Sequence, residues 1–79
     1  MSKTPIADLW HGYAERVVPA DAEKIQMRET KRAFYAGAHG MFIRLVHESS
    51  KGDTMGIQFM NRVDDEAKKF AEEVLAGRA

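Results

Sequence analysis

Apolar residues recur along this chain at the spacing of an α-helix in three stretches. In the first, Ile6, Leu9, Trp10, Tyr13 and Val17 share one face, and Asp8, His11, Glu15 and Arg16 take the other. Thr4 is placed to cap this helix and Pro5 to open it, because a proline at the first helical position gives up an N–H that would have no helical partner. Pro19 biases Val18 toward extended backbone, which predicts an end near Val17.

The second stretch begins at Asp21, a good capping residue, with Glu23 near the positive end of the helix dipole. It runs to Glu48–Ser49 without a proline. Its apolar residues occupy several sides. One seam reads Met27, Phe34, Met41 and Leu45; a second reads Tyr35, His39, Phe42 and Val46; a third is small, with Ala33, Ala36 and Gly40. No fixed charge falls between Ala33 and Ile43. That run is well short of the roughly 20 residues a bilayer-spanning helix needs, so the pattern predicts a helix buried on several sides.

Gly52 suits a helix break, and Asp53 is the next capping residue. The third stretch carries Met60, Val63, Ala67, Phe70 and Val74 at heptad spacing, and Gly77 is placed to stop it. Asp64 with Lys68 and Asp65 with Lys69 are pairs one turn apart in the favourable orientation. The break is short enough to fold the second and third helices into an antiparallel hairpin. The register that pairs Phe34 with Phe70, Met41 with Met60 and Val63, and Met27 with Val74 sets apolar against apolar.

The expected fold is therefore all-α in a single domain, 1–79: a short N-terminal helix, residues 5–17, packed on a long antiparallel hairpin of helices 21–49 and 53–76. A chain of 79 residues hides only about 60% of its unfolded surface, so a homodimer or larger assembly is expected. Ala33, Ala36, Gly37 and Gly40 are the candidate contact between copies, since small residues one turn apart let backbones approach closely. Within one chain the same residues would instead make room for Trp10 or Phe70.

Charge and chemistry narrow the function. Twelve basic residues balance twelve acidic ones, which argues against bulk attraction to nucleic acid or a membrane surface. The absence of cysteine excludes a disulfide scaffold, a thiolate metal site and a thiol nucleophile, and fits a reducing compartment. No charged stretch followed by an apolar core marks a secretory signal. His11, His39 and His47 lack metal spacing; the last two lie about 12 Å apart along a helix. Ser49 and Ser50 beside His47 lack an oxyanion-binding element. Gly37 and Gly40 lie inside a helical period rather than in a phosphate loop between strand and helix. The pattern points away from an enzyme and implies no cofactor, no metal and no catalytic residue.

One cluster is a candidate for anion or partner binding. Lys24, Arg28, Lys31 and Arg32 lie along one side of the second helix, and Tyr35 and His39 continue the line. Cations beside an aromatic ring can hold phosphates and stack a base. In the hairpin register Lys31 and Arg32 also fall near Glu72 and Glu73, and the sequence favours this intramolecular charge complement over a ligand site.

The run Glu29-Thr30-Lys31-Arg32-Ala33-Phe34-Tyr35-Ala36-Gly37-Ala38, with Leu9-Trp10, Tyr13 and Val18-Pro19-Ala20-Asp21-Ala22 upstream, resembles a segment in small uncharacterised proteins of tailed bacteriophages. The resemblance spans roughly residues 8 to 42 and transfers no catalytic or ligand residue. It implies a phage accessory protein in the cytoplasm of an infected bacterium, binding and inhibiting or sequestering a host factor, with an anti-defence role. A sponge for an anionic nucleotide signal at a subunit interface, or a virion structural or assembly protein, are the alternatives.

Overall fold

The computed structural model describes residues 2–79 and is all-helical, with no strand among them. Helix α1 spans Pro5–Val17, α2 Lys24–Ser49 and α3 Asp53–Leu75. Contacts gather into two compact units, Met1–Met41 and Phe42–Ala79, so that α2 contributes to both.

In the first unit, α1 begins and ends where its prolines direct. Pro5 occupies the first turn, and Val18 leaves the helix in extended backbone ahead of Pro19. Thr4 holds the capping position, but its hydroxyl makes no capping bond. Helix α2 starts three residues later than the sequence suggests. The Ala22 N–H donates to the Pro19 carbonyl at 3.1 Å, closing a turn that takes up Asp21 and keeps it from capping. The first bond of α2 instead runs from the Met27 N–H to the Glu23 carbonyl, at 2.9 Å. Helix α1 packs on the N-terminal part of α2 through three aromatic rings. Trp10 stands edge-on to Phe34 with centroids 5.5 Å apart, and Tyr13 lies 5.3 Å from Phe34. Trp10 is only 4% exposed and is the one buried hydrophobic side chain among the described residues.

In the second unit the C-terminal turns of α2 lead through residues 50–52 into α3, which turns back against them. The end of α2 tightens into three-residue bonds, Lys51 N–H to Glu48 carbonyl and Gly52 N–H to Ser49 carbonyl, which use up carbonyls a helix end leaves unpaired. Gly52, rather than Asp53, holds the N-cap position of α3; Asp53 sits in the first turn, where its charge faces the positive end of the dipole. Arg44 of α2 stacks over Phe59 of α3, 5.7 Å from the ring centroid, a cation–π contact between the two arms. At the far end, the Arg78 N–H reaches the Glu73 carbonyl and the Gly77 N–H the Val74 carbonyl, at 2.8 and 3.1 Å. With Gly77 at a φ of 75° this is a Schellman stop, and α3 ends at Leu75.

The apolar pattern buries far less than it promised. The expectation of an α2 covered on several sides is not met, since Phe42, Ile43 and Val46 are all more than half exposed. On α3 the heptad stripe stays open beyond Val63, with Phe70 59% and Val74 49% exposed. One 13-residue helix and one hairpin arm offer too little surface to cover a helix that is apolar on several sides.

Candidate functional site

Arg28, Lys31, Arg32 and Tyr35 stand three, four and seven positions apart, so helical geometry puts them in one stripe along α2. They line an open hollow of 460 Å³. Three cations and an aromatic ring therefore share one concave surface. Lys31 Nζ lies 5.9 Å from the centre of the Tyr35 ring, within cation–π reach. Arg32 also pairs with Glu29, at 3.2 Å. The remaining ion pairs among the described residues likewise join side chains three or four positions apart: Arg44 and Lys51 with Glu48, and Lys68 with Asp64. Lys24 and His39, grouped with this cluster from the sequence, do not line the hollow.

Tyr35 is also the wall of a second hollow, of 270 Å³, whose other side is Lys3, Thr4, Pro5, Ile6 and Ala7. No local pattern marks this neighbourhood, because it depends on how α1 lies on α2 within the first unit. It brings a further cation, Lys3, and the first turn of α1, with its unpaired N–H groups, to the ring that borders the basic stripe.

Neither glycine of α2 serves a close approach within the chain. A Cβ added at Gly37 or at Gly40 would meet nothing within 4 Å. The glycine that does serve a close approach is Gly56, on α3.

The second unit holds a polar cluster that sequence reasoning missed. Glu48 is 12% exposed in its side chain and accepts hydrogen bonds from Lys51 at 3.2 Å and Arg44 at 3.4 Å. The bonded Lys51 ammonium, aided by Arg44, holds the Glu48 carboxyl below the usual range against the opposing effect of its partial burial. A hollow of 200 Å³ lies beside it, lined by Arg44, Glu48, Phe59, Arg62, Val63 and Glu66. With both carboxylate oxygens occupied by cations of its own unit, Glu48 is suited to tying the turn together rather than to proton transfer. Among the described residues, no three histidine or acidic side chains come together as a metal site would require, and no helix is long and apolar enough to cross a membrane. Comparison with family models, with curated proteins and with solved structures finds no match.

Proposed function

We propose that this chain is a non-enzymatic accessory protein of a bacteriophage. In this reading it acts in the cytoplasm of the infected bacterium by binding and sequestering or inhibiting a host factor, including one of antiviral defence. The observation that supports it is the stripe of Arg28, Lys31, Arg32 and Tyr35 along one hollow, where a single acidic side chain, Glu29, pairs with one of the three cations. Such a surface suits an acidic partner: cations steer the encounter, and arginine and tyrosine supply the anchoring contact. Affinity capture from bacterial lysate with the wild-type chain and with an Arg28→Glu, Lys31→Glu variant tests this. The wild type retains a specific host protein whose binding weakens with salt. Equal capture by the charge-reversed variant rejects the assignment.

A second reading follows from the cation over the Tyr35 ring. A phosphate on Lys31 with a base on Tyr35 is the arrangement needed by a sponge for an anionic nucleotide signal. A melting-temperature screen against nucleotides separates the two, because a ligand at about 100 times its dissociation constant adds about 2.7 kcal/mol of stability.

A further inference from the structure

The two hollows that share Tyr35 differ in lining. Along α2 the wall is cationic, with Arg28, Lys31 and Arg32. Toward α1 it is largely apolar, with Pro5, Ile6 and Ala7 beside Lys3 and Thr4. Tyr35, Ile6 and Ala7 are half-buried, so packing of α1 on α2 shapes this slot. All of these residues belong to the first unit.

We infer that the two hollows are the two parts of one site for a nucleotide bearing two or more negative charges. The base enters the slot between Tyr35 and the start of α1, and the phosphates lie along the cations of α2. This rests on the nucleotide reading of the stripe and adds to it a base pocket and a ligand class. An apolar slot with an aromatic wall suits a flat heterocycle and penalises a bare anion. Lys3 and the Thr4 hydroxyl bring donors to that slot for acceptors on the edge of a base. The order of groups also fits. At the helical rise, Lys31 stands about 6 Å and Arg28 about 10 Å along the axis from Tyr35. A nucleotide strings its phosphates in a row beyond the sugar, away from the base, so it meets the ring, then one cation, then a second. Within the first unit neither Arg28 nor Lys31 has an acidic partner, whereas Arg32 is shared with Glu29. Two cations without a carboxylate favour a nucleoside di- or triphosphate over a nucleoside. The hollows, 460 and 270 Å³, together fall within the roughly 300–1,000 Å³ of small-molecule sites. An acidic protein surface would engage the cations and leave the slot empty, so the slot is what separates the two classes of ligand.

The test is calorimetric titration of the full chain with ATP, adenosine and inorganic tripolyphosphate, each up to about 1 mM. ATP is expected to bind the wild type at least about tenfold more tightly than either fragment. Ala7→Phe, which fills the slot, should weaken ATP to the level of tripolyphosphate and leave tripolyphosphate itself unchanged. Arg28→Gln with Lys31→Gln should weaken both. Tripolyphosphate binding as tightly as ATP, or ATP binding unchanged in Ala7→Phe, overturns the base pocket while leaving an anion site on the stripe. Binding of none of the three by the wild type rejects the nucleotide reading together with the inference. Should Ala7→Phe fail to fold, the wild-type order of the three probes decides alone.

Discussion

A Cβ added to Gly56 of α3 would lie 2.7 Å from Ser49 Oγ and 3.3 Å from Ser49 Cα on α2. The hydroxyl can rotate away, but the backbone Cα cannot. Alanine at an exposed helix position is worth up to about 1 kcal/mol over glycine. Gly37→Ala, where the added methyl meets nothing, should therefore raise the melting temperature. Gly56→Ala should forfeit that gain, and Gly56→Leu should open the hairpin turn. Thermal unfolding of the three variants checks the contrast, and equal stabilisation by both alanines would refute the close approach.

Gly40 provides a separate check on the small stripe. With no neighbour within 4 Å of an added Cβ, Gly40→Ala should stabilise a lone chain by up to about 1 kcal/mol. If Ala33, Ala36, Gly37 and Gly40 are a contact between copies, Gly40→Leu should instead shift the sedimentation profile toward monomer.

Glu48 links stability to pH. Its carboxyl is held below the ordinary value of about 4.3 by Lys51 first and by Arg44. A depressed carboxyl binds fewer protons folded than unfolded, so its contribution is complete above the ordinary value. It fades as pH falls through the lower, folded value. Glu48→Gln should lower the melting temperature at neutral pH and flatten its fall between pH 5 and 3, a range of about two units centred near that ordinary value. A parallel fall in wild type and variant would remove Glu48 from this role.

At the C-terminus of α3, Gly77 adopts a left-handed backbone that costs other residues about 1–2 kcal/mol. Gly77→Ala should lower the melting temperature by several degrees if the last turn unfolds with the rest, since about 1 kcal/mol corresponds to roughly 4–8 °C in a domain of this size. Fraying of the last turn alone would show instead as a small loss of helix signal.

The elements that the sequence made legible are those with local punctuation. Pro5 and Pro19 bound α1, and Gly77 stops α3, through backbone rules that act within a few residues. Asp21 misled because the turn closed by Ala22 on Pro19 outcompetes a cap. The basic stripe was legible, since the spacing of Arg28, Lys31, Arg32 and Tyr35 is enough to align them on a helix. Its neighbourhood at Lys3–Ala7 was not, because it arises from packing of α1 on α2. Glu48 carries no local signal of its role, because its burial comes from the turn back into α3. The failure of the apolar seams to be covered is the informative miss, because the pattern records surfaces meant for burial without naming what covers them.

Trp10 is the one tryptophan of the chain, and its ring is enclosed with Tyr13 and Phe34 in the first unit. Trp10→Ala should cost about 3–5 kcal/mol, a large share of the total for so small a chain. Far-ultraviolet circular dichroism should report whether α2 and α3 survive that loss.

The same placement makes the wild-type chain its own two-channel instrument. Indole emission follows the first forty-one residues, where the ring is packed, while backbone ellipticity is weighted toward the 26 and 23 residues of α2 and α3. Coincident melting in both channels means that the shared helix α2 transmits unfolding from one end of the chain to the other. Separated transitions mean that a partner could melt or remodel the aromatic end while the hairpin stays assembled.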